Sequence, residues 1–287
     1  MATDLGVLVM AYGTPATPSD IEAYYTHVRR GRPPAPEQLA ELRGRYAAIG
    51  GTSPLLERTR AQAAGLAAAL GDGWRVELGM KHAPPFIEDG LAALAGAGVE
   101  DVVGLVLAPH YSRLSVGEYA ARAAGARVVQ SWHLASGYVD LLARFVGEVA
   151  TPDSEVVFTA HSLPSRILAE GDPYPSQLHE TAAAVAERAG IGRWSVGWQS
   201  AGRTPEPWIG PDVLDVLRDR AAHGASHVVV CPAGFVSDHL EVLYDLDVEA
   251  AALASELGVG FARTRMPNDD PQFCATPADV VHRHAAP

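Results

Sequence analysis

The stretch VVFTAHSLP, residues 156–164, decides the fold. A β-branched apolar run of the kind that builds a buried parallel strand stops at a histidine, and the following SLPSRI carries a helix-start signature. In an open α/β sheet, ligands bind at the carboxyl ends of strands, so His161 stands where chemistry is expected. A second stretch, HVVVCPAGFVSDHLEVLYDLDVE (residues 227–249), repeats the order strand, loop, helix, and its helix carries a row of carboxylates. Together the two stretches raise one expectation, that His161 faces Glu241 across a cleft.

Working outward, short apolar runs alternate with longer Ala-rich amphipathic ones, the signature of βαβ units and parallel sheets. Strands are expected at 5–12, 75–82, 101–110 and 126–133, and again at 155–162, 194–200, 227–234 and 258–266. The two sets of four resemble a duplication. VLVMAYGTP pairs with VVFTAHSLP, GMKHAPPFIEDGLAAL with GWQSAGRTPEPWIGPDVLDVL, and VLAPHYSRLSVGEYA with VCPAGFVSDHLEVLY. The fold class is therefore α/β: two similar Rossmann-like domains, each a parallel sheet flanked by helices, with a ligand cleft between them. The first domain is assigned to residues 1–145 and the second to 146–267. The tail from about Asn268 to residue 287 reads as a short amphipathic helix packing back on the first domain.

Composition narrows the function. Twenty-two Lys and Arg against 34 Asp and Glu leave a net charge of −12, which argues against a general nucleic-acid binder. Two cysteines, Cys231 and Cys274, cannot build a disulfide framework or a Cys-rich metal site, and they suit a reducing cytosol. The N-terminal apolar run follows Asp4 instead of a basic segment, so it reads as a strand and not a signal peptide. No stretch reaches the roughly 18 apolar residues of a membrane span. The expectation is a cytoplasmic, monomeric protein without a membrane anchor.

Several residues could carry chemistry. A lone strand-end histidine is most often structural; as a functional group, His161 would accept a proton or bind a metal near neutral pH. Glu241, Asp245 and Glu249 stand at i, i+4 and i+8 on one helix face. That pattern is either a solvated acidic face or a row of hard oxygen ligands for a hydrated divalent cation, with Asp238 and His239 adding potential ligands upstream. Tyr12 ends the first strand. Arg29, Arg30 and Arg32 form the one basic cluster and would suit a polycarboxylate. Arg45 precedes a Gly-Gly turn. Strand-end loops carrying His110, Ser112, Ser115 and Tyr119, and Trp198, Gln199, Ser200 and Trp208, could grip an aromatic ligand. A G-x-S-x-G elbow, a G-x-G-x-x-G turn and spaced zinc ligands are all absent from the sequence, which disfavours a serine triad, a nicotinamide or flavin cofactor and structural zinc.

The segments MAYGTP, YYTHVRRGR, RYAAIGGTSPL, GMKHAPPFIEDG, LAPHYSRLSVGEY, TAHSLPSRI, GDPYPSQLHE, VGWQSAGRTPEPWIGPDV and DHLEVLYDLDVE together resemble the ferrochelatases, and most of all the soluble bacterial type that metallates coproporphyrin III. The resemblance runs from about residue 5 to residue 273, and TAHSLP followed by SDHLE is its most specific part. It implies a porphyrin cleft between two Rossmann-like domains and Fe²⁺ as a substrate. His161 and Glu241 are implied as the central pair, handling pyrrole protons and the incoming metal; which does which stays open. Tyr12 is implied to approach the metal from the opposite side. Arg29, Arg45, Ser53 and Tyr119 match propionate-contacting positions, and Lys81, His82 and Trp208 match cleft-lining ones. Arg45, Asp245 and Glu249 match an outer site for hydrated Mg²⁺.

The chain departs from the family pattern in three places. The segment EYAARAAGARVVQSW is shorter than in relatives. Two cysteines cannot supply the four thiolates of the [2Fe–2S] cluster that some members hold, so neither that cluster nor any other tightly bound cofactor is expected. Arg113 stands where a small or polar residue is usual. The polar lip HVRRGRPPAPEQL favours coproporphyrin III, with its four propionates, over protoporphyrin IX, and a transient haem acceptor enzyme is implied as a partner. Competing readings are a protoporphyrin IX ferrochelatase, a non-catalytic tetrapyrrole carrier on the same fold, and a cobalt or nickel chelatase for a sirohydrochlorin-type ring.

Overall fold

A computed structural model describes residues 5–285. Strands β1 (Leu5–Ala11), β2 (Trp74–Met80), β3 (Val102–Val106) and β4 (Arg127–Val128) form one sheet in the order β2-β1-β3-β4. Strands β5 (Ser154–His161), β6 (Trp194–Gln199), β7 (His227–Cys231) and β8 (Gly260–Arg263) form a second in the order β6-β5-β7-β8. Every pairing is parallel, and the second order repeats the first, as a duplication requires.

The repeat extends to single hydrogen bonds. Met80 N donates to Pro85 O at 2.7 Å in the first half, and Trp198 N to Pro211 O at 3.0 Å in the second. Leu107 N donates to Met10 O at 2.8 Å, and its counterpart Gly234 N to Thr159 O at 2.9 Å. Central strands β1 and β5 therefore end at the same level, and Tyr12 and His161 leave their sheets at corresponding points.

One apolar cluster joins the halves. Val7, Val9 and Leu105 of the first sheet and Val156, Phe158 and Val229 of the second belong to it. So does the helix Ser136–Val149, which buries Tyr138, Leu141, Leu142 and Phe145. This helix packs on helix Tyr174–Ala189 and on β7, and Tyr138 donates its hydroxyl proton to Ala233 O at 2.8 Å. Residue 145, the boundary expected from sequence, lies inside it; the helix ends at Val149. Helix Pro271–Ala285 packs against helices Leu55–Leu70 and Ser136–Val149. Close approach requires glycine there: a Cβ at Gly65 would collide with Cys274 Sγ, and one at Gly137 with Thr276 Oγ1.

Several strands end earlier than the sequence reading placed them, β4 most of all, and one helix is wound differently. The strand expected over 126–133 shrinks to Arg127–Val128. After Val129 N reaches Gly104 O, the chain turns toward the loop beyond β3, where Trp132 N donates to Pro109 O. The acidic helix is not a regular α-helix. Its Val242–Ala250 segment is π-wound, continuing as α-helix over Ala251–Leu257; such widened turns are rare and concentrate at functional sites.

Candidate active site

The carboxyl ends of both sheets open onto one interdomain cleft of about 460 Å³, within the roughly 300–1,000 Å³ typical of small-ligand sites. In the second half, β5 delivers His161 to the wall and the start of the wide helix delivers Glu241. His161 Nε2 stands 3.4 Å from Glu241 Oε1, and His239 Nε2 stands 3.5 Å from Glu241 Oε2. One carboxylate is thus flanked by two imidazoles.

Backbone carbonyls fix the tautomers. His161 Nδ1 faces Ser162 O, and His239 Nδ1 faces Ser237 O at 3.0 Å. A carbonyl only accepts, so both Nδ1 atoms carry their protons and both Nε2 atoms face Glu241 as acceptors until protonated. Each Nε2–carboxylate contact has room for one exchangeable proton. Burial opposes charge on His161, but the Glu241 carboxylate outweighs it and raises the imidazole to about 9. Burial likewise opposes charge on Glu241, yet His161 and then His239 hold its carboxyl far below the usual range. Tyr174, against the same wall, donates its hydroxyl proton to His161 O at 3.0 Å.

The first half faces this group with different chemistry. Tyr12, 43% exposed into the cleft, lies with its ring 4.6 Å from that of His82. Desolvation and then Glu241 push its phenol upward, so it stays protonated. Lys81 Nζ pairs with Glu118 and sits 5.1 Å from the Tyr119 ring centroid; Arg30 reaches Glu118 at 3.6 Å. Burial, then Lys81, push His82 down to about 3, and its Nδ1 lies 3.1 Å from His27 Nδ1.

Of the residues singled out from sequence, Tyr12, Arg30, Ser53, Lys81, His82, His110, Ser115, Tyr119, His161, Trp208, His239 and Glu241 line the cleft. Trp208 lies 6.3 Å from His161, ring to ring, and Ser53 Oγ accepts from Leu55 N at 3.3 Å. Arg29, Arg45, Asp245 and Glu249 do not line it. Arg29 is turned to the loop, where its Nε donates to Arg32 O at 3.3 Å. Arg45 lies between Glu41 at 3.6 Å and Asp245 at 3.5 Å. Asp245 is buried and accepts from Ser200 Oγ; burial raises it to about 6, and its Oδ1 has no hydrogen-bond partner. Among the described residues, no three His, Cys, Asp or Glu side chains converge into a ready metal cage. Glu118 and Tyr174, not singled out from sequence, also line the cleft. Glu118 was legible as the acid on the helix after β3, the counterpart of Glu241 on the helix after β7.

The family model described as Ferrochelatase matches residues 4–285. The coproporphyrin III ferrochelatase of Anoxybacillus flavithermus is 47% identical over 302 aligned residues, spanning 98% of this chain and 96% of its own. The chain belongs to the ferrochelatase family. The coproporphyrin III ferrochelatase of Halalkalibacterium halodurans is 45% identical, with 98% and 97% covered. Among solved structures, SirB from Bacillus subtilis with Fe³⁺ superposes with a TM-score of 0.57 at 13% identity, covering 98% of this chain and 96% of that one. At that identity the likeness is one of fold, two similar α/β domains around a cleft. No helix of this ferrochelatase, among the described residues, is long and apolar enough to cross a membrane.

Proposed function

We propose that this ferrochelatase inserts Fe²⁺ into coproporphyrin III, with the pyrrole protons received by His161, Glu241 and His239. The observation that carries the reading is the carboxylate held between two imidazoles on one wall of the cleft. Metal insertion requires two pyrrole N–H protons to leave, and the two Nε2–carboxylate contacts can take up one each. The proton already shared by His161 and Glu241 must pass outward first, so insertion speeds up as pH rises. The same wall offers imidazole and carboxylate donors to the incoming Fe²⁺ as it passes, without forming a three-ligand cage among the described residues. Tyr12, protonated, meets the ring from the other wall as a hydrogen-bond donor.

Identity with coproporphyrin III ferrochelatases along nearly the whole chain supports the substrate. So do the cations at the cleft, Arg30 and Lys81 on one side and Arg166 on the other, which can exchange their carboxylate partners for propionates. Tyr119, beside Lys81, and Ser53 elsewhere on the cleft wall offer hydroxyl donors, and Arg29 and Arg45 act as longer-range cations. Asp245, whose Oδ1 faces Arg45 at 3.5 Å without a hydrogen bond, and Glu249 suit a hydrated Mg²⁺ held through its water shell, which would offset the crowding of acids on the wide helix. A cytoplasmic location and transfer of the product to a haem acceptor enzyme belong to the same proposal.

The test is an anaerobic assay with purified protein, Fe²⁺ and either coproporphyrin III or protoporphyrin IX, following porphyrin fluorescence. Catalytic loss of fluorescence with coproporphyrin III alone is expected. Binding of the ring without turnover would make the protein a tetrapyrrole carrier.

A further inference from the structure

The loop after β3 crosses from the first half to the second through four consecutive residues. His110 Nε2 lies 2.8 Å from Thr181 Oγ1, and Tyr111 N donates to Gln177 Oε1 at 2.7 Å. Ser112 Oγ and Arg113 N both donate to Asp172 Oδ2 at 2.9 Å, and the Arg113 guanidinium pairs with Glu170. The other oxygen of Asp172 accepts from Tyr174 N at 3.0 Å, at the start of helix Tyr174–Ala189. Tyr174 in turn holds His161 through its carbonyl. On the far side, the same loop runs into Ser115, Glu118 and Tyr119 of the cleft wall.

We propose that Asp172 is a positioning residue that couples the porphyrin-facing loop of the first half to His161 of the second. Both its oxygens are committed, and Ser112 and Tyr174 are buried. A shift of either neighbour would strand a buried polar group, which costs more than the hydrogen bond is worth when made. Ring contacts on the loop at 112–119 therefore bear on the end of β5, where His161 Nδ1 is pinned to Ser162 O and its Nε2 is aimed at Glu241. Arg113 has its place here: it lends a backbone N–H to Asp172 and a guanidinium to Glu170. The proposal rests on the iron-insertion reading for its kinetic test alone.

The experiment is a double-mutant cycle in the full chain with Ser112→Ala, Tyr174→Phe and both together, assayed anaerobically with Fe²⁺ and coproporphyrin III. A parallel arm follows ¹⁵N-histidine NMR spectra without substrate. Each single change is expected to lower kcat roughly ten- to a hundredfold, the scale of a small misplacement at a reacting centre, with KM for the porphyrin unchanged. The double variant is expected to be no slower than the worse single one. Asp172→Asn, similar in shape but one acceptor poorer, is expected to match them. Ser112→Ala is expected to move the His161 ring signals although the two side chains do not touch. Losses that multiply, a change in KM alone, or unmoved His161 signals would each overturn the coupling. If the wild type turns over no porphyrin, the iron-insertion reading fails, and the NMR arm alone decides on Asp172.

Discussion

The two halves of the molecule share a topology and oppose each other in chemistry. Each central strand ends on a side chain aimed at the cleft, Tyr12 in one and His161 in the other, and each helix after the third strand supplies a glutamate. In the first half Glu118 pairs with Lys81 and Arg30, a set of fixed charges suited to hold a polycarboxylate ring in place. In the second half Glu241 pairs with the imidazoles of His161 and His239, groups that can take up and release a proton, unlike a fixed guanidinium. Changing the partner of one glutamate from lysine to histidine turns a binding wall into a proton-handling wall. The frame was duplicated; the functions were divided by a handful of strand-end residues.

If that division holds, changes around Glu241 act on kcat and changes around Glu118 on KM. The largest effect belongs to Glu241→Gln, expected to lower kcat by roughly 10²–10⁴, the usual contribution of acid–base catalysis, while coproporphyrin III still quenches on binding. His239→Ala leaves one imidazole beside Glu241 and removes a charge-assisted contact; a loss in kcat of about ten- to a hundredfold is expected, read by steady-state assay. Lys81→Met is expected to raise KM for coproporphyrin III about tenfold with kcat little changed, the loss of one charge-assisted contact. A dominant fall in kcat would break the comparison. Arg30→Ala, at the cleft wall, should raise KM severalfold and Arg29→Ala less, since exposed charges contribute about 1 kcal/mol or less; the reverse order would relocate the propionates.

The pH dependence follows from the same wall. Glu241 raises His161 from its ordinary value of 6.5 to about 9. A raised imidazole stabilises the fold fully below its unfolded value, and this contribution is lost as pH rises through about 9. The stability gap between wild type and Glu241→Gln should therefore narrow from about pH 6.5 to about pH 9 in thermal melts. In NMR titrations of Glu241→Gln, the His161 midpoint should fall, because the anion that raised it is gone. An unmoved midpoint would mean that Glu241 is not the cause.

Much of this was legible in the chain. The β-branched runs at Val156–Phe158 and Val228–Val230 are buried strands because nothing else in such segments satisfies both backbone and side chains, and the paired strand ends pointed to one cleft. The spacing of Glu241, Asp245 and Glu249 was read as one face of a regular helix, however, and the π-wound turn carries only Glu241 to the cleft while burying Asp245. Propensity has no term for a turn stabilised by its surroundings. The strand expected over 126–133 was read too long for a related reason: RVVQSW has strand composition, and it is the hydrogen bond of Trp132 N to Pro109 O that draws the chain away. The crossing at residues 110–113 was out of reach, because its partners lie 57 to 71 positions away in sequence. Arg113 therefore made sense only in three dimensions.

The central claim is that the second wall receives the pyrrole protons and the first wall only holds the ring. Its most direct test is anaerobic single-turnover metallation of bound coproporphyrin III by His161→Ala beside Tyr12→Phe, the exchange at the two corresponding strand ends. The account predicts normal ring binding by both, loss of insertion in His161→Ala by at least about a hundredfold, and a change of less than about tenfold in Tyr12→Phe, the scale of one hydrogen bond. Near-normal insertion by His161→Ala, or a collapse of insertion in Tyr12→Phe with His161 intact, would contradict it.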